Sequence, residues 1–216
     1  MQDKMMYAAA FDFDGTLIRG DSIVMLVRYG LKKGKISLAG AFWAATAGAL
    51  YHLHILGEMS VKRAGHAFLA RMDAEEREAF LKDFADLVCK KIRPQGLEII
   101  KAHQKQGAAV ILCSASCACY MRYVAEYLGV DALLCTAADA QGQPVPPNCK
   151  RGEKVRRITQ WLQSQGSDIG ALAIAYGDSA GDIEMLSACK QPMLVLPKRA
   201  LQQAFPSAEQ LNWSEP

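Results

Sequence analysis

The sequence predicts an α/β fold, a parallel sheet in a three-layer sandwich with an all-helical insertion after its first strand. Three observations carry this. From Arg93-Pro94 onward, short apolar runs alternate with helical segments, the pattern of right-handed βαβ units. The stretch from Asp21 to about Ile92 has helical periodicity and no convincing strand. Ahead of it, Met5 to Phe13 is a short apolar run with charge beginning where it stops, as expected of a buried central strand.

Each element follows in order. The inserted helices are expected over SIVMLVRYGLKKG, ISLAGAFWAATAGALYHLHIL, SVKRAGHAFLARM and AEEREAFLKDFADLVCKKI. Ser60 and Asp73 stand where N-caps belong, and Gly30, Gly34 and Gly57 where helices should end. Next come a helix over GLEIIKAHQKQ closing at Gly107, the strand AAVILCS, a helix from about Tyr120 to Leu128, and the strand DALLCTA. A polar turn, DAQGQP, leads through VPPNCKRG to the helix EKVRRITQWLQSQ. The strand ALAIAYGD, the helix AGDIEMLSACK, the strand PMLVLP and a short helix over KRALQQAF complete the chain. Residues 1–19 and 93–216 are thus expected to form the core, and residues 20–92 a helical cap over it.

Composition bounds the function. A chain of 216 residues suits one core domain with a smaller insertion, and 51% hydrophobic with 22% charged residues excludes a disordered or disulfide-built class. The net charge of +3 comes from scattered Lys and Arg without a basic run, so no nucleic-acid partner is expected. The seven cysteines lie mostly in apolar segments and read as reduced, buried hydrophobes. Cys113, Cys117 and Cys119 lack a second Cys/His pair at zinc-finger spacing, so they too read as packing residues. The start, MQDKMMYAAAFDFDG, has an acidic third residue and too short an apolar stretch for a signal peptide. A cytoplasmic location is expected.

Ligands of open parallel sheets bind beyond the carboxyl ends of the strands. There the sequence puts Asp12 and Asp14, then Ser114 and Ser116, then Asp178, Ser179 and Asp182, with Lys154 opening a helix near the same edge. Val155, Ile158 and Leu162 make an apolar stripe that sets Lys154, rather than Lys150 in the Pro-rich approach, at the helix start. Asp12 and Asp14 are two residues apart, so in extended backbone their carboxylates share a side. Grouped carboxylates repel unless a cation neutralises them, and an all-oxygen set with room for a phosphate suits Mg²⁺. One carboxylate, Asp12, can then attack phosphorus. The other, Asp14, can protonate the leaving oxygen and later deprotonate the hydrolytic water. Ser114 and Lys154 would stabilise the phosphate oxygens, and Gly15 lets the backbone turn away close to them.

Singly, these features have plainer readings. DFDGTL alone is a solvated turn, Ser114 alone a strand-end hydroxyl, and Asp182 and Asp21 alone are helix caps. Their order along the chain is what joins them.

DFDGTL (12–17), Ser114 in ILCSAS, Lys154 in GEKVRRI and GDSAGD (177–182) resemble the four ordered motifs of the haloacid dehalogenase superfamily. The resemblance implies a Rossmann-like core. It makes Asp12 the nucleophile and Asp14 the acid/base, with Mg²⁺ held by Asp12, the backbone carbonyl of Asp14 and Asp178, and Asp182 supporting the metal. The implied substrate contacts are Gly15, Ser114, Ala115 and Lys154. The helical insertion resembles the C1 cap of phosphoserine phosphatase-like members (subfamily IB), in which an acidic residue near the position of Asp21 contacts the substrate amine. Dehalogenases of the superfamily lack the second aspartate, so Asp14 points to phosphate chemistry. SAS stands where phosphoserine phosphatases have Ser-Gly-Gly, and Gly181 where they have Asn.

The expected activity is hydrolysis of a phosphomonoester, with a small phosphorylated metabolite as substrate. Alternatives are a lipid phosphate phosphatase of the phosphatidylglycerophosphatase type, a phosphotransferase or mutase, and a phosphate-binding protein without activity. Arg63 and Arg71 are candidates for holding a substrate carboxylate. Residues 36–57 contain no Asp, Glu, Lys or Arg over 22 positions. They are expected to form a buried helix pair in the cap with Phe42, Trp43 and Tyr51 packed inside, ahead of membrane-surface contact or a membrane span. His52, His54, His66 and His103 are expected to be packing or surface residues.

Overall fold

A computed structural model describes residues 7–216, without the side chains of Tyr51 and His52. The expected strand start at Met5 and the expected packing of Tyr51 and His52 therefore lie outside the described residues.

The first strand, β1 (Ala8–Phe11), is wholly buried, and its four residues alternate between two cores. Ala9 and Phe11 pack with Ile100, Tyr120, Val124 and Leu128 on one face. Ala8 and Ala10 pack with Ile158, Leu162, Met185 and Leu201 on the other. The helices α5 (Pro94–Lys105) and α6 (Ala118–Leu128) thus cover one face, and α7 (Gly152–Ser164), α8 (Ile183–Ala188) and α9 (Arg199–Ala204) the other. This is the predicted three-layer sandwich, and β1 lies near its middle because both its faces are apolar.

Seven strands form one sheet in the order β4-β3-β2-β1-β5-β6-β7. β2 (Ala109–Cys117), β3 (Ala132–Ala138), β5 (Leu172–Gly177) and β6 (Gln191–Val195) are the predicted strands. Two others were not expected, β4 (Pro144–Val145), antiparallel to β3, and β7 (Glu209–Leu211), parallel to β6. At two and three residues they are too short to show periodicity.

Between β1 and β2 the chain forms α1 (Ser22–Lys32), α2 (Leu38–His52), α3 (Glu58–His66), a 3₁₀ turn over Ala67–Arg71, and α4 (Ala74–Cys89). Asp73 caps α4 by accepting from Glu76 N–H at 2.8 Å. Ser60 is not a cap: α3 starts two residues earlier, after Gly57, and Ser60 sits in its first turn. Gly30 lies inside α1, and the chain turns instead at Gly34, whose φ is +69°. Phe84 of α4 meets Tyr120 of α6 edge-on at 5.2 Å, so these helices share the core on one face of the sheet.

The expected burial of residues 36–57 is corrected. Leu38, Phe42, Trp43, Leu53 and Ile55 are 78%, 75%, 60%, 67% and 65% exposed, while Ile36 and Ala47 are buried. α2 is apolar on nearly every side, and α1 and α3 can cover only part of its circumference. No described helix is long and apolar enough to cross a membrane.

Candidate active site

The strand ends at the carboxyl edge converge on a cavity of about 500 Å³. Asp12, Asp14, Gly15, Asp21, Ser114, Ala115, Lys154, Asp178 and Asp182 line it.

Asp12 follows β1 and is pinned by its N–H donating to Tyr176 O of β5 at 2.9 Å. Lys154 Nζ donates to Asp12 Oδ1 at 2.5 Å and to Asp182 Oδ1 at 2.7 Å, and all three side chains are buried. Thr16 Oγ1 donates to the other Asp12 oxygen at 3.1 Å. Lys154 reaches the site because Arg151, at φ +53°, starts α7 with its N–H on Gly181 O at 3.0 Å. A non-glycine residue held in that conformation is a strain that functional sites commonly keep. Lys150, the other lysine weighed, turns to Glu58 of α3 at 3.2 Å.

Asp178 follows β5, and its Oδ2 accepts from Lys198 Nζ at 2.6 Å. Its Oδ1 is buried with no protein partner among the described residues. Asp182 Oδ2 accepts from the Ser179 N–H and hydroxyl at 3.2 Å each, completing a capping box in which Ser179 is the N-cap, so Asp182 does not itself cap the helix that follows.

Asp12, Asp178 and Asp182 each offer a carboxylate oxygen within 4.8 Å of the others. Burial, then the charge of Asp182, pushes the Asp12 carboxyl well above the usual carboxylate range against the pull of Lys154. Burial raises Asp178 as well, against the pull of Lys198. Burial alone would lower the Lys154 ammonium, but Asp12 and Asp182 hold it well above its ordinary value. A hard cation relieves that repulsion, and the unpartnered Asp178 oxygen is a ready ligand for it, so the donor set fits Mg²⁺.

The Asp14 carboxylate is not part of this group. Ser22 N–H donates to its Oδ1 at 2.6 Å, and the Ser22 hydroxyl to its Oδ2 at 3.1 Å. The Ser116 hydroxyl donates to the same Oδ2. Burial, then the charge of Asp21, pushes Asp14 up to about 6, against those hydrogen bonds. Directly after Asp14, Gly15 turns the chain at φ +87°, where an added Cβ would stand 2.5 Å from Asp178 Cγ. Gly15→Ala is therefore expected to cost about 1–3 kcal/mol of stability. Urea unfolding would show it beside Gly34→Ala, which sits at φ +69° in open space and should cost about 1 kcal/mol.

Ser114 is buried on β2, its hydroxyl accepting from Ser116 N–H at 3.0 Å. Asp21 caps α1, accepting from Ile23 N–H at 2.9 Å, and is exposed at the rim. Arg63 and Arg71 do not line the cavity. The cation that α3 sends into it is Lys62, donating to Ala115 O and Asn148 Oδ1 at 2.5 Å each. Lys62, Ser22 and Lys198 had no assigned role in the sequence reading. Lys198 alone left a signal there, being a cation just past the end of a strand.

The profile of the haloacid dehalogenase-like hydrolases matches residues 9–187. The protein CicA of Caulobacter vibrioides is 28% identical over 195 residues, covering 82% of this chain and 81% of that protein. A solved protein of unknown function from Bordetella pertussis Tohama I superposes with a TM-score of 0.88 at 22% identity, over 96% of this chain and 99% of its own. A phosphoserine phosphatase solved as a phospho-aspartyl intermediate analogue superposes with a TM-score of 0.65 at 19% identity, over 96% and 93%.

Proposed function

Because the chain belongs to the haloacid dehalogenase-like hydrolases, we propose that it is a Mg²⁺-dependent phosphomonoesterase working through an aspartyl-phosphate on Asp12. The observation that carries this reading is the division of labour between two neighbouring carboxylates. Asp12 is in the buried group with Lys154, Asp178 and Asp182, while Asp14 is held apart by Ser22 and Ser116.

Asp12 attacks phosphorus, and the bond to the leaving oxygen breaks as Asp14 delivers a proton to it. Asp14, now a carboxylate, takes a proton from the water that releases phosphate and restores Asp12. Lys154 and the Ser114 hydroxyl, with the backbone at Gly15 and Ala115, orient the phosphate oxygens. Asp12, Asp178 and the backbone carbonyl of Asp14 would hold Mg²⁺, with Asp182 supporting them. When bound, the ion screens the carboxylates and lets an anionic phosphate approach.

The helices of residues 20–92 act as a cap on the core of 1–19 and 93–216. Lys62, Glu58 and Asp21 face the cavity from that side and select the rest of a small phosphorylated metabolite. The seven cysteines, six of them buried, suit a reducing cytoplasm.

A phosphatase panel with phosphoserine and small sugar phosphates tests the reading. Turnover with Mg²⁺ should disappear on chelation and return when Mg²⁺ is restored. Full activity under chelation, or none on any phosphomonoester, would contradict it.

The exposed apolar surface of Leu38, Phe42, Trp43, Leu53 and Ile55 favours one second reading, a phosphate on a lipid head group. In that case phosphatidylglycerophosphate in vesicles should be cleaved at least ~10-fold faster than soluble esters, and Trp43→Ser should reduce that preference. Equal rates for both would leave the soluble metabolite.

A further inference from the structure

Beside the active-site cavity lies a second set of ligand-bearing side chains with different chemistry. His66 closes α3, Cys117 ends β2, and Cys119 stands in the first turn of α6. A ring nitrogen of His66 and the two sulfurs lie within 4.8 Å of one another, and all three residues are buried.

The histidine is oriented for ligation. Its Nδ1 lies 2.7 Å from the Lys62 carbonyl, which can only accept, so Nδ1 carries the proton. In the neutral ring Nε2 is then a bare lone pair. His66 is only 1% exposed, and Nε2 has no hydrogen-bond partner among the described residues. A buried acceptor without a partner is destabilising, and a ligand at that nitrogen would offset this. A histidine whose other N–H is held by a backbone carbonyl is also the arrangement that fixes metal-bound imidazoles.

We propose that His66, Cys117 and Cys119 bind one Zn²⁺ ion. Two thiolates and an imidazole select a borderline-soft cation, whereas the oxygen set of Asp12, Asp178 and Asp182 selects a hard one. Tetrahedral ligands at ~2.0–2.3 Å from zinc stand roughly 3.5–3.8 Å apart, so the three need close by no more than about 1 Å on binding. Two cysteine protons leave as the bonds form. His66 and Cys117 both line the active-site cavity, from which a water or an anion takes the fourth position. The ion joins α3, in the inserted helices, to the β2–α6 junction of the core. The same seam is already held by Lys62 on Ala115 O and by Gln143 Nε2 on His66 O. Zinc there ties the helices that cover the site to the sheet that carries it.

The sequence hid the site because Cys117 and Cys119 are two residues apart while His66 lies on a distant helix. Only the docking of α3 against β2 brings it near.

Cobalt replacing zinc gives the test, as it reports thiolate ligation by charge-transfer absorption whether or not the enzyme turns over. Full-length protein, stripped of metal and reduced with a non-chelating phosphine, is titrated with Co²⁺ in excess Mg²⁺. One equivalent should produce a thiolate-to-cobalt band with tetrahedral visible bands, and Zn²⁺ should erase both. Cys119→Ser should lose most of the band, His66→Gln should weaken zinc binding at least ~10-fold, and Cys89→Ser should change neither. Absence of the band in the unaltered protein, or its survival in the Cys117→Ser, Cys119→Ser double variant, would overturn the proposal. So would zinc binding that Mg²⁺ fully competes away, which would put zinc in the carboxylate group.

Discussion

Asp12→Asn is expected to lower kcat toward phosphomonoesters by ~10⁴-fold or more while leaving the protein folded. The amide fills the same volume at the end of β1, and its oxygen can accept from Lys154 while its NH2 donates to the Thr16 hydroxyl, so the contacts that fix this corner persist. What disappears is the negative oxygen that forms the bond to phosphorus. Because removing one of several crowded carboxylates relieves repulsion, thermal stability should hold or rise. Steady-state turnover and a melting curve on the same preparation check both halves. A variant that keeps more than about a tenth of the activity would remove Asp12 from the chemistry.

Asp14→Asn is expected to separate the two half-reactions. With p-nitrophenyl phosphate the leaving group needs little protonation, so the variant should release about one equivalent of nitrophenolate in a burst. It should then turn over at least ~10²-fold more slowly, lacking the base for the hydrolytic water. The pH dependence should trace the same group. Its carboxyl, pushed up to about 6, is the proton donor of the first half, so kcat/KM for a poor leaving group should fall as pH rises through that value. The second half needs the carboxylate and should slow as pH falls through it. The groups facing Asp14 are Ser22 and Asp21 at the start of α1, Ser116 of β2, Tyr120 of α6 and Lys62 of α3. Asp21→Asn removes the raising charge and keeps the helix cap, so the limb should move to lower pH. A limb that stays in place would assign it to another group.

The core and the motifs were legible because one physical rule fixes both. Ligand-bearing residues of a parallel sheet gather where the strands end, and after an apolar run the ends of β1 and β5 are marked by aspartates and that of β2 by serines. Lys154 was legible through the stripe of Ile158 and Leu162, which face the core and set the phase of α7. Ser22 and Lys62 were not, because their roles depend on how α1 and α3 dock, a tertiary matter that periodicity does not encode. The error over α2 has a related cause. An uncharged run reads as buried, yet burial needs neighbours, and α1 and α3 leave Phe42 and Trp43 in solvent. His66 shows the same limit, reading as a packing residue until the fold sets a ring nitrogen near two thiols.

In the proposed mechanism Asp12 carries the phosphoryl group. Asp14→Asn, mixed with p-nitrophenyl phosphate and Mg²⁺, quenched in acid during the burst and digested, gives peptides whose masses locate that group. One phosphoryl per chain is expected on the peptide containing Asp12, and none when Asp12→Asn is added. A phosphoryl group found on Ser114 or elsewhere, or full phosphate release with no phosphorylated peptide at any quench time, would contradict it.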